Sequence, residues 1–249
     1  MISRRRGAIL APVALAAGVS LGGMAAPLAA QQAYPAWFLE TPRLEGVALA
    51  VGYAPVYRTA DSARAEAERD GTATLALHAG LRVKAGTIFE VIPGGQGLFR
   101  GERYEEAPLG APPAVRRLAS AQVGNMTLVL VATREVGPPF DGARPMSIEA
   151  PPWVGQPPVE PGALVAVGVA PRYFYEKNCW GEAERHGRQQ LAFAVASRTR
   201  ELSKGTRDED FAVLHVEADV LLRTVEVRAR WADASACHAL VRATGGAPR

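Results

Sequence analysis

The apolar positions of this chain change rhythm along its length, and the same changes occur twice. Over residues 46–55, Val47, Leu49 and Val51 fall on one side of an extended chain, and Ala48, Ala50 and Gly52 on the other. Apolar residues on both sides predict an interior strand, and the small side predicts a helix lying close against its backbone. Over residues 62–81 the period lengthens: Ala63, Ala67, Gly71 and Leu75 recur every four residues, a helical stripe of small side chains that ends in a large one. Asp61 or Ser62 is placed to cap that helix. Glu66, Glu68, Arg69 and Asp70 lie outside the stripe and are expected to face water. Residues 82–91 return to alternation, with Val83, Ala85 and Ile88 inward, and residues 93–113, rich in Gly and Pro, read as a loop. A hairpin follows, with residues 118–123 and 126–136 as its arms and Gly124-Asn125 as its turn.

Placing Trp37 over Trp153 brings the second half into register without a gap through a strand and most of a helix. Pro42, Gly46, Ala50-Val51-Gly52 and Ala54 fall on Pro158, Gly162, Ala166-Val167-Gly168 and Ala170. Pro55 and Tyr57 fall on Pro171 and Tyr173; Glu66 to Arg69, Gly71 and Leu75-Ala76 fall on Glu182 to Arg185, Gly187 and Leu191-Ala192. Such self-similarity means two copies of one structural unit. A mid-helix Gly costs about 1 kcal/mol relative to Ala. Its presence in both copies, as Gly71 and Gly187, therefore predicts a helix in contact with another backbone. Farther on, Val225, Val227, Ala229 and Trp231 alternate with Glu226, Arg228 and Arg230, a strand with one wet face, and residues 237–243 return after a turn at 232–235. Laying Leu130-Val131 over Leu240-Val241 restores the register six residues shorter, so the first copy carries the longer loop. The fold class that follows is α+β: two tandem units, each a long helix on a small antiparallel sheet, a two-layer sandwich. Residues 31–137 and 151–249 are the units, and the Pro-rich residues 138–150 the linker.

A chain of 249 residues accommodates two such units of about 100 residues each. Residues 1–30 stand apart, with Arg4, Arg5 and Arg6 before an Ala-rich apolar run and Leu28-Ala29-Ala30 at a cleavage point. They read as an export signal, Sec or Tat, which places the protein in the periplasm or outside the cell; an uncleaved signal would be its only membrane attachment. The formal charge of +3 reflects 28 basic and 25 acidic residues, and removing the three signal arginines leaves 25 against 25. A neutral mature chain withdraws any inference of nucleic acid binding from the basic pI. The two cysteines, Cys179 and Cys237, lie in the second copy, and an even pair in an oxidising compartment is expected to be bonded. Closing that loop of about 58 residues contributes about 4 kcal/mol in the chain-entropy picture. Their counterparts in the first copy are Ala63 and Thr127.

The pattern of Pro and Trp, then Pro, Gly, a strand ending Ala50-Val51-Gly52-Tyr53-Ala54 and a helix with Ala65 to Asp70 and Leu75-Ala76 resembles the bacterial Lpp-twenty lipoprotein family. It is similar also to the N-terminal domain of flagellar assembly protein T. The ending Trp231-Ala232-Asp233, then Ala239-Leu240-Val241-Arg242, matches as well. The resemblance implies a dodecin-like sheet and helix and a non-catalytic, envelope-associated role in surface or appendage assembly. The chain departs from it in lacking a lipidated cysteine and in carrying the unit twice.

No nucleophile elbow, P-loop, dinucleotide fingerprint or H-E-x-x-H motif is present. Pro93-Gly94-Gly95-Gln96-Gly97 lacks the Lys and Ser or Thr of a phosphate cradle and reads as a loop tip. Cys179, His186, His215, Cys237 and His238 are the residues a zinc site would use, but Cys179 and His186 stand about 10 Å apart along one helix. Glu66 and Glu182 recur beside other charges and read as solvated helix surface. Trp37 and Trp153 read as plugs at the end of each core. Arg172, Tyr173, Phe174 and Tyr175, an aromatic cluster in the strand-to-helix connection, form the preferred contact surface. These features predict a non-enzymatic periplasmic or cell-envelope protein without a cofactor, binding envelope proteins or itself. The alternatives are a small-ligand carrier using the cleft between the units and, behind it, a metal-dependent enzyme.

Overall fold

Gly52 and Gly168 sit where strand and helix meet, and the fold is built on those two contacts. A Cβ on Gly52 would lie 1.9 Å from the Ala67 carbonyl oxygen and 2.4 Å from the Gly71 nitrogen, and one on Gly168 would lie 1.9 Å from the Ala183 oxygen and 2.2 Å from the Gly187 nitrogen. Each strand glycine is thus pressed against its helix glycine. This is the backbone contact that the mid-helix glycines predict, and no side chain larger than hydrogen fits it.

The computed structural model describes residues 32–57, 59–92, 96–137, 140–201 and 213–248; the expected export signal and the loop tip at 93–95 fall outside them. In chain order the elements are β1 (Ala33–Pro35), α1 (Ala36–Leu39), β2 (Leu49–Pro55), α2 (Ala60–Ala79), β3 (Leu81–Ile92) and β4 (Gln96–Pro108). Then come β5 (Arg116–Val123), β6 (Met126–Ala132), β7 (Ala143–Pro145), α3 (Pro152–Gly155), β8 (Leu164–Pro171) and α4 (Glu176–Glu201). The chain ends with β9 (Val213–Arg223), β10 (Glu226–Ala232), β11 (Ala236–Ala243) and β12 (Gly245–Pro248). The class is mixed α and β, with small antiparallel sheets, and residues from Gln32 onward pack as one unit.

Helix α2 lies on a sheet of order β2-β6-β5, and α4 on one of order β10-β11-β8. Strands β3 and β9 pair antiparallel, from Leu81 opposite Leu222 to Glu90 opposite Val213, at the centre of a sheet of order β12-β9-β3-β4 to which both halves contribute. Within the Pro-rich stretch, β7 pairs with β1. Strands β9-β10 and β11-β12 keep one register across their bend, with Arg223 opposite Gly245 and Glu226 opposite Arg242, so they form one long hairpin. Its turn is held by Asp233, whose Oδ1 accepts from the Ser235 nitrogen at 2.7 Å and the Ala236 nitrogen at 2.8 Å. The Ser235 hydroxyl, donating to the same oxygen at 2.7 Å, and those two backbone bonds hold the Asp233 carboxyl down, at about 2.

Three expectations are corrected. Residues 93–113 are not a loop throughout: β4 forms a ladder along β3, because Leu98, Phe99 and Tyr104 supply the strand propensity that the flanking Gly and Pro mask. Thr59, not Asp61 or Ser62, caps α2 by accepting from the Ser62 nitrogen. Arg230 does not face water: its side chain is only 1% exposed. By contrast, the turn at Gly124-Asn125 closes β5 on β6 as expected, and Val83 and Ala85 are buried. Trp37 and Phe38 of α1 plug the core, whereas Trp153 of α3 is only half-buried against it.

Candidate contact surface and the buried network behind it

The connection from β8 to α4 is fixed at its backbone and open at its side chains. Arg172 donates its amide to the Ser235 oxygen at 2.9 Å and its Nε to the Asp233 oxygen at 3.1 Å, clamping the connection to the turn between β10 and β11. At the start of α4, Glu176 accepts from the hydroxyl of Tyr34 and from Trp180 Nε1 at 3.2 Å. Burial, reinforced by that carboxylate, pushes the Tyr34 hydroxyl well above its ordinary pKa. One turn later Cys179 is bonded to Cys237 of β11, with both residues fully buried and their Cα atoms 5.8 Å apart. Over this anchored base Tyr173, Phe174 and Tyr175 are 44%, 86% and 50% exposed, and the Phe174 and Tyr175 rings meet edge to face at 5.0 Å.

The first half contributes to the same surface. Tyr57, which falls on Tyr173 in the repeat, is exposed in the connection from β2 to α2, as is Val56. Asn125, at the tip of the β5-β6 hairpin, joins the two connections: its carbonyl accepts from the Val56 nitrogen at 3.1 Å, and its Nδ2 donates to the Phe174 carbonyl at 2.9 Å. Sequence reasoning finds Arg172 to Tyr175 and misses Val56, Tyr57 and Asn125. The repeat register held the signal for Tyr57; nothing local marks Asn125 as more than a turn residue.

Beside the aromatic residues a cleft of about 390 Å³ opens between Tyr53 and Asp70 on one side and Tyr173, Lys177 and Glu182 on the other. Asp70 does not face water as its place on the helix predicts: it accepts from the Tyr53 nitrogen at 2.8 Å, yet burial dominates and raises its carboxyl to about 6. Behind the cleft, Arg230 meets Glu184 at 2.9 Å and donates to the Tyr53 hydroxyl at 2.6 Å, the Phe38 carbonyl at 3.0 Å and the Thr41 hydroxyl at 3.3 Å. The Tyr53 hydroxyl in turn donates to Glu184. Burial alone would lower the Arg230 pKa, but Tyr53 and Glu184 more than offset it, and burial drives the Tyr53 hydroxyl far up. One turn along α4, Arg188 grips Glu106 of β4 with two bonds of 2.7 and 2.9 Å, and Arg185 lies over the Tyr104 ring at 4.9 Å. These charges are paired, desolvated, and shared between the two halves.

The zinc set does not assemble. The disulfide takes both thiolates, the His186 ring sits 2.6 Å from the Val169 carbonyl, and His238 is packed 5.2 Å from Trp231. The side chain of His215 lies outside the described residues. Among the described residues no group of three or more His, Cys, Asp or Glu side chains could hold a metal ion. Glu66 and Glu182 pair with Arg69 and Arg185 on their own helices, as solvated helix surface does. No helix among the described residues is long and apolar enough to cross a membrane. The chain matches no family model, no curated protein and no solved structure.

Proposed function

We propose that this is a non-catalytic protein of the periplasm or cell envelope, acting through binding as an assembly component. It is built from two tandem dodecin-like units of the kind the Lpp-twenty resemblance implies. The observation that carries this reading is the aromatic surface of Tyr57, Tyr173, Phe174 and Tyr175. Exposing several aromatic rings has a solvation cost, and holding them on a backbone clamped by Arg172, Asn125 and a disulfide lowers the entropy lost on contact. A rigid aromatic patch of that kind suits a protein surface, where aromatic anchors carry most of the binding energy. The disulfide is compatible with an oxidising compartment. A photo-crosslinking residue at position 174, used in intact cells with fractionation, tests the proposal. It predicts adducts with envelope proteins that disappear when Tyr173 and Tyr175 are changed to Ser. Adducts confined to the cytosol, or unaffected by those changes, would refute it.

The cleft at Asp70, Lys177 and Glu182 supports a second reading, a carrier of a small polar ligand, since its volume falls within the range of ligand sites. Its lining, about evenly polar and apolar, is less suited to burying most of a ligand than an apolar pocket would be. Stabilisation by a metabolite in a thermal-shift screen, lost in Lys177→Ala, would favour it.

A further inference from the structure

The repeat places one groove in the molecule twice, and the two grooves differ in how they are filled. In the first half, β2 and α2 line it with Leu49, Val51, Leu77 and His78, and Val225 with Val227 and Arg230 of the adjoining strand β10 close it, leaving about 10 Å³. In the second half the register-equivalent residues Val165, Val167, Phe193 and Ala194 of β8 and α4 line a groove of about 660 Å³. The strands record the difference. Leu49, Val51 and Tyr53 are buried at 9%, 1% and 6% exposure, while Val165 and Val167 are half-buried and Val169 is 44% exposed. Strand β10 cannot fill the second groove, because it lies at the far edge of the β8 sheet and is already seated in the first.

We propose that the β8 groove receives the β5 edge of a second copy of this chain. Strand β5 is the counterpart of β10. Six residues beyond the helix register, Leu130-Val131 falls on Leu240-Val241, and both hairpins slip at matching places, between Arg117 and Ala119 and between Val227 and Ala229. Among the described residues β5 is paired on one side only, with β6. In its two-residue hairpin Val123 and Met126 are the bonded pair, so Ser120 directs its N–H away from β6. The edge brings exposed Arg116 to a groove bordered by Glu102, where β10 carries Glu226. The contact is heterologous, groove to edge, so copies add head to tail. It goes beyond the aromatic surface and uses none of its residues, so either proposal can fail alone.

Sedimentation velocity of the full chain across a concentration series tests it, with two variants. Ala194→Lys fills the groove with a charge that repels Arg116, and Ser120→Pro removes the outward N–H from the β5 edge. The wild type is expected to associate with concentration, each variant alone to remain a monomer, and an equimolar mixture to give a dimer and nothing larger. That dimer arises because one good groove and one good edge remain between the two variants. If Ala194→Lys loses the wild-type far-UV spectrum, Val169→Lys at the groove rim replaces it. A wild type that stays monomeric throughout, which leaves the groove to another protein, overturns the inference. So does a mixture that stays monomeric, or a variant that dimerises alone.

Discussion

Changing a glycine to alanine should have opposite effects at Gly52 and at Gly181, and the difference can be worked from contacts. At Gly52 the new methyl would lie 1.9 Å from the Ala67 carbonyl oxygen and 2.8 Å from the Gly71 Cα. All these neighbours are backbone, so no side chain can rotate away, and α2 itself must move outward from β2 by about an ångström. Overpacking costs about 1–3 kcal/mol where side chains can adjust. With backbone on both sides the upper end applies, so a loss of at least about 3 kcal/mol is expected. At Gly181, within α4, an added methyl meets nothing within 4 Å. Only the helix preference remains, and it stabilises by about 0.5–1 kcal/mol. For a domain of this size 1 kcal/mol moves the melting temperature by about 2–4 °C. Gly52→Ala should therefore lower it by about 6–12 °C, with Gly168→Ala matching it, while Gly181→Ala raises it by about 2 °C. Thermal and urea melts followed by far-UV circular dichroism measure all three. If Gly52→Ala or Gly168→Ala melts with the wild type, the strand and helix backbones do not touch as described, and the reading of the paired glycines is wrong.

Other perturbations have equally definite signs. The folded pKa of Asp70, about 6, lies above its ordinary 3.8, so stability from its protonated form is fully present below about pH 4 and lost as pH rises through 6. Asp70→Asn keeps the acceptor for the Tyr53 nitrogen, and should remove that pH dependence in urea titrations and gain about 3 kcal/mol at pH 8. Replacing both Cys179 and Cys237 by Ala opens a separation of 58 residues and should cost about 4 kcal/mol in chemical denaturation. Glu184→Gln leaves buried Arg230 without its carboxylate and should cost about 3–5 kcal/mol, whereas Glu68→Gln, the same change on the first helix, should cost under about 0.5 kcal/mol.

Glu68 and Glu184 also show where the sequence is legible and where it is not. They occupy one position of the repeat, on helices of one design, so periodicity assigns both to the wet face. Glu68 does lie at the surface, loosely paired with Arg117 at 3.4 Å. Glu184 is 3% exposed, because β10 and Tyr53 close over it. Periodicity reports which way a side chain points from its own helix, and cannot report what another element later places there. Contacts within one copy were therefore readable: the small-residue stripe, the glycine pairs, the hairpin and its turn. Cys179 and Cys237 were readable as well, since they are the two cysteines of the chain and the expected export favours pairing them. The strand β4 is the exception within a copy: its partner β3 is local, but its own Gly content and the flanking Gly and Pro argue against a strand.

The residues that distinguish the copies gather where the two halves join. Tyr53 stands where the second copy has Val169, and Arg230 where the first has Ser120, and these two residues with Glu184 form one buried cluster of bonds between the halves. A repeated unit whose every copy used the same residues could join only through the same face each time. Here the first groove has acquired a tyrosine and a partner arginine, which fix β10 in place. The second keeps an apolar lining, and no strand among the described residues covers it. Buried charges of this kind contribute little net stability, since each must first be desolvated, but a wrong register would leave them unpaired at a cost of several kcal/mol. Arg230, Glu184 and Tyr53 therefore select which strand occupies the first groove. The second groove has no such selector among the described residues, so the contact proposed for it is weaker and reversible, governed by concentration where the first is fixed by the covalent chain.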